Sequence, residues 1–158
     1  MAYKSIVTFV QNHKTEMDCV LAAASIAEKN DAHLTIVCLG IDHTNPGAYY
    51  GGANAMALQQ TLADAEAEGK ENEKAVRSAM GVWSISWEVI TITAQIGALA
   101  PVIGERAQLA DLVVLPKPYG KDRSVEDVVI VESALFRTRT PVMILPDGVT
   151  TAPEASSV

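Results

Sequence analysis

The sequence predicts an α/β fold, a doubly wound five-stranded parallel sheet with helices on both faces. Two observations carry that prediction. Five short segments, SIVTFV, HLTIVCLGI, WEVITITA, DLVVL and PVMILP, are rich in apolar and β-branched residues, the pattern of strands covered on both sides. The segments between them have helical spacing or helix punctuation, so strands and helices alternate and the crossovers are right-handed. A chain of 158 residues is long enough for one domain with a real core.

The first strand spans residues 5–10. Thr15 is expected to open the first helix, with Asp18 three residues later as its capping-box partner. Met17, Val20, Leu21, Ala24 and Ala27 recur at helical spacing and should face the sheet. Asn30 and Asp31 end that helix, and residues 33–41 form the second strand. The stretch DHTNPGAYYGG that follows is dense in turn formers and reads as a loop.

Residues 53–80 form a long second helix, apolar at Met56, Leu58 and Leu62, with DAEAEGKENEK on a solvated face. Gly69 weakens it and Gly81 stops it. Residues 87–94 are the third strand. Pro101 sits near the start of the third helix, whose apolar face includes Val102, Ile103 and Leu109. Residues 111–115 are the fourth strand, 124–137 the fourth helix and 141–146 the fifth strand. The domain therefore runs from 1 to 147, and residues 148–158 read as a flexible tail or linker.

Charge and composition remove several classes of function. A net charge of −7 repels nucleic acid and anionic membranes. No apolar run is long enough to span a bilayer, and MAYKSIVTFV lacks a signal-peptide layout. Cys19 and Cys38 form no C-x-x-C pair and lie in apolar stretches, so they read as buried thiols in a reducing, cytoplasmic setting. No His stands at metal-ligand spacing from another His, a Cys or a carboxylate. Glu66 and Glu68 fall in the charged part of a helix and read as solvated.

Ligands of a doubly wound sheet bind at the carboxyl ends of its strands, which directs attention to three loops. The first, QNHK, holds Gln11, Asn12 and His13 but no acid, so it has neither the paired carboxylates of a receiver domain nor an evident ligand set. The second places Tyr49 and Tyr50 beside Gly51 and Gly52, either a lid for an aromatic ligand or a plain mobile loop. The third, PKPYGKDRSVEDVV, holds the position of a phosphate cradle. Such a cradle needs converging backbone N–H groups at an open helix N-terminus. Pro116 and Pro118 have none to give, and only Gly120 is permissive. Ser124 begins Ser-x-x-Asp, a capping box that uses the first helical N–H groups internally. Glu126 and Asp127 add carboxylates where a phosphate would sit, so Lys117, Lys121 and Arg123 read as their surface partners. Nucleophile elbow, P-loop, dinucleotide and H-E-x-x-H motifs are all absent.

The layout as a whole resembles the universal stress protein family, of the adenine nucleotide α-hydrolase-like fold. The resemblance runs from YKSIVTFV through AHLTIVCLGI to ADLVVL and ESALFRTRTPVMILP, the last block being the most specific. Members that bind ATP carry G-x2-G-x9-G-[ST] after the fourth strand and an acid at the end of the first. Here the first glycine position is Pro116, the second falls at Tyr119 or Gly120, the glycine–hydroxyl pair at Val128 and Val129, and the acid at Gln11 or Asn12. The resemblance therefore implies a stress-response binding or dimerisation module that lacks ATP binding and enzyme activity. Its alternative is an ATP- or AMP-binding regulator with a variant loop, for which Gln11, Asn12, Ile41, Lys117, Gly120 and Lys121 are the candidate contacts. It also implies pairing through the edge of the last strand, at Val142, Met143 and Ile144, with a second copy or with a sister domain of a tandem protein.

Overall fold

A computed structural model describes residues 2–44 and 55–154. Strand β1 (Ser5–Val10) leads into helix α1 (His13–Asn30), then β2 (His33–Asp42), α2 (Ala55–Met80) and β3 (Trp87–Gln95). A short 3-10 turn precedes α3 (Leu99–Ala107), followed by β4 (Leu112–Pro116), α4 (Val125–Arg137) and β5 (Val142–Leu145). The sheet has five strands in the order β3-β2-β1-β4-β5, and every pairing is parallel. The order reverses between β1 and β4, which places the ligand crevice of this fold class between the β1–α1 and β4–α4 turns.

Two apolar layers flank the sheet. Ile6, Leu34, Ile36 and Leu112 meet Val20, Ala23 and Ile26 of α1 and Val76 and Met80 of α2. On the other face Val7, Phe9, Val37 and Leu115 meet Leu99 and Ile103 of α3 and Ile130 and Ala134 of α4. Full burial of such side chains contributes about 1.5–3 kcal/mol each. Among the described residues no helix is long and apolar enough to cross a membrane.

Several local expectations are corrected. Asn12, not Thr15, caps α1: its side chain accepts the Lys14 N–H at 3.1 Å, because the chain already turns helical at His13. Leu109 is exposed, since α3 ends at Ala107 before its face reaches that position. The buried stripe of α2 is Ala65, Gly69, Asn72, Val76 and Met80, within and beyond the charged segment, while Met56 and Leu62 face solvent.

Gly40 of β2 is the reason α2 can lie where it does, with Gly69 packed against it. A Cβ built on Gly40 would press into the backbone of Ala65, 2.8 Å from its carbonyl carbon. Of residues 148–158, Val149 packs on the core and Ala152 is buried, its N–H donating to Ser25 Oγ at 2.9 Å.

Candidate functional site

The β1–α1 turn is built by a carboxyl that sequence reasoning passed over. Glu16, one turn into α1, is 2% exposed, and its Oε2 accepts the N–H groups of Gln11 and Asn12 at 2.7 and 2.9 Å. These are the donors an uncapped turn would leave open. The Glu16 carboxyl also meets that of Asp127, which α4 brings across the crevice. Burial, and next to it the Asp127 carboxylate, push the Glu16 pKa from 4.5 up to about 8 against the pull of the two N–H groups. Glu16 therefore favours its protonated form at neutral pH.

On the facing wall Ser124 and Asp127 close the predicted capping box. The Ser124 N–H and hydroxyl donate to Asp127 Oδ2 at 2.7 and 3.2 Å. Gln11 Nε2 reaches over to Ser124 Oγ at 3.1 Å, so a side chain from β1–α1 is tied directly to the N-terminus of α4. The start of α4 is thus engaged by groups of this chain.

Asn72 of α2 supplies the third wall. Its Nδ2 donates to the carbonyls of Gln11 and Leu39 at 3.0 and 3.1 Å. Its Oδ1 accepts from the His13 N–H at 3.0 Å and lies 3.0 Å from His13 Nδ1. Because Nδ2 is fully used as a donor, Oδ1 can only accept, which assigns the His13 proton to Nδ1. Asn72 stands one turn after Gly69, so the close glycine contact is what brings it within reach. Replacing Asn72 by alanine is expected to lower stability by about 2 kcal/mol, since it strands buried carbonyls and an imidazole N–H; urea unfolding measures this, and an unchanged midpoint would contradict the account.

These walls enclose a cleft of about 370 Å³. Glu68, Glu71, Asp122 and Glu126 line it against one lysine, Lys14, and His43 Nδ1 lies 3.0 Å from Glu126 Oε1. Among the described residues no group of three or more His, Cys, Asp or Glu side chains is placed to hold a metal. The cleft is acidic, and a phosphate chain would meet repulsion there.

The candidate contacts read from the sequence are divided among separate places. Gln11 and Asn12 line this cleft. Lys121 lines a neighbouring cleft of about 340 Å³ with Arg123 and Asp147. Lys117 Nζ is 3.1 Å from Asp147 Oδ2, and Arg123 Nη2 is 2.7 Å from Asp147 Oδ1. Arg123 and then Lys117 hold the Asp147 carboxyl below its ordinary range. Gly120, at φ +123°, makes the turn and rests on the end of the Lys117 side chain. Ile41 lies on a third cleft beside Asp42 and Thr44. Asp42 is held below its usual pKa by hydrogen bonds from Thr44. Burial raises the Cys19 and Cys38 thiols to about 12, so neither is a thiolate at neutral pH. Tyr49, Tyr50, Gly51 and Gly52 lie outside the described residues. Val142 and Met143 are half-buried and Ile144 is exposed, all on the edge strand β5.

Comparison with solved structures finds universal stress proteins. UspA from Lactobacillus plantarum matches with a TM-score of 0.70 at 18% identity, over 92% of this chain and 99% of that one. A universal stress family protein from Burkholderia pseudomallei matches with a TM-score of 0.59 at 18% identity, over 91% and 96%. A universal stress protein in complex with cAMP matches with a TM-score of 0.52 at 19% identity, over 92% and 98%. No protein-family model and no curated protein matches the sequence. The chain has the universal stress protein fold.

Proposed function

We propose that this protein is a cytoplasmic, universal-stress-type binding and dimerisation module that performs no catalysis and binds no ATP. One observation carries the reading: the phosphate end of the crevice is occupied by the chain itself. The Ser124–Asp127 capping box takes up the N–H groups of Ser124 and Asp127 at the start of α4, and Glu16 takes up those of the β1–α1 turn. Glu126 and Asp127 add negative charge where a triphosphate would add more. Lys117 and Arg123, the cations that would offset it, are already bound to Asp147. The edge at Val142, Met143 and Ile144 is the proposed contact with a second copy or a tandem sister domain. Titration calorimetry with ATP and with AMP tests the crevice: the expected result is no heat of binding at up to millimolar ligand, and micromolar affinity would overturn the proposal.

The alternative takes its support from the structural neighbour described with cAMP. In that reading Lys117 and Arg123 release Asp147 and, with Lys121, grip a nucleotide phosphate, and substituting all of them abolishes binding.

A further inference from the structure

We propose that the outer edge of β3 is a self-association surface, on which β3 of a second copy pairs antiparallel to extend the sheet. The two edges of the sheet are unlike. β5 has 4 residues and is bracketed by Pro141 and Pro146, which confines any pairing on it to a short stretch. β3 has 9 residues, WEVITITAQ, with no proline and no lysine. Its register with β2 runs unbroken from Leu34↔Trp87 to Asp42↔Gln95, so no bulge bends it away. Every one of its residues except Ala94 retains some exposure, and among the described residues no other strand pairs with its outer side.

Which backbone groups face outward follows from the ladder. The Leu34 N–H donates to the Ser86 carbonyl at 2.9 Å, and Leu34 stands opposite Trp87. A parallel ladder continued from that bond turns the even-numbered residues toward β2. The N–H and C=O groups of Trp87, Val89, Thr91, Thr93 and Gln95 therefore point away from the sheet.

The occupant is a second copy because the strand is nearly its own complement. A twofold axis at Thr91 sets Thr91 against Thr91, Ile90 against Ile92, Val89 against Thr93 and Glu88 against Ala94. All outward N–H groups then find carbonyls, and β-branched residues oppose one another, as in favourable cross-strand pairs. The strand's one charge, Glu88, faces an alanine rather than another Glu88. The two sides also differ in a way that favours pairing. Toward α2, Thr91 Oγ1 is already bonded to Glu73 at 2.7 Å. Toward α3, Ile90 lies on an open cleft with Arg106 and Leu109, and Ile90 and Ile92 from two copies would close over each other there. This surface is independent of the crevice and of β5; where both edges pair, the copies form a linear series.

Sedimentation velocity on the full chain across a concentration range tests the idea, with Ile90→Lys at β3 and Ile144→Lys at β5 as variants. The wild type should associate reversibly, and more tightly at high salt, where the charge of −7 on each copy is screened. Ile144→Lys should leave a dimer, and Ile90→Lys should remove the β3-dependent step. A monomeric Ile144→Lys protein, or a mass distribution unchanged by Ile90→Lys, would overturn the proposal. Hydrogen exchange on the wild type needs no variant to fold. The amides of Val89, Thr91 and Thr93 should slow at least tenfold on going from dilute to concentrated protein, and concentration-independent exchange would equally refute it.

Discussion

Gly40→Val is expected to destabilise the protein by more than about 3 kcal/mol, enough to leave little folded chain at 37 °C. The new Cβ would meet the backbone of Ala65, not the end of a flexible side chain, so relief requires α2 to lift off β2 along its length. Lifting α2 withdraws Asn72 from the carbonyls of Gln11 and Leu39 and from His13, so the crevice loses its third wall as well. Gly69→Ala is the informative contrast. Its Cβ would lie 3.1 Å from the Thr91 methyl and 3.3 Å from the Gly40 nitrogen, crowding that a small shift relieves, and alanine recovers about 1 kcal/mol of helix propensity. The expected result is a near-neutral Gly69→Ala and a severe Gly40→Val by thermal unfolding followed by circular dichroism. Equal effects would mean the helix is not seated by its contact with Gly40.

That glycine pair also marks where the sequence stopped being readable. The strands were legible because burial on both faces leaves a composition signature, and their order along the chain follows from it. The crevice position and the Ser124–Asp127 capping box were legible for the same reason, since each is a local pattern. The face of α2 was not. Its buried stripe of Ala65, Gly69, Asn72, Val76 and Met80 starts with small and polar residues, so hydrophobic spacing selects Met56 and Leu62 instead, and Gly69 looks like a flaw. Its spacing of three and four residues is helical, and a search for small residues at that spacing would have found it. Glu16 was hidden differently. A carboxylate in a first helical turn ordinarily reads as a solvated complement to the helix dipole; burial in the folded crevice, and after it the approach of Asp127, 111 positions away in sequence, raise its pKa instead.

That raised pKa predicts an unusual pH profile. The folded protein holds the Glu16 proton up to about pH 8, whereas the unfolded chain releases it near 4.5. Between those values the folded state binds more protons, so stability from this group falls as pH rises, by at most about 1.4 kcal/mol per pH unit. Below about 4.5 its contribution is complete and flat; above about 8 it is lost. Glu16→Gln separates this effect from the other titrating groups, which both proteins share. The amide oxygen can still accept the Gln11 and Asn12 N–H groups, and the amide N–H can donate to Asp127 with no proton to lose. Urea midpoints from pH 5 to 9 should therefore show the variant near wild type at pH 5 and more stable than wild type by several kcal/mol at pH 9. If the difference between the two proteins stays constant across that range, Glu16 is ionised in the folded state and its carboxyl is not held protonated by its surroundings. If it grows as expected, the proton at Glu16 is what lets two acids face each other across the crevice, at the point where this fold ordinarily receives a ligand.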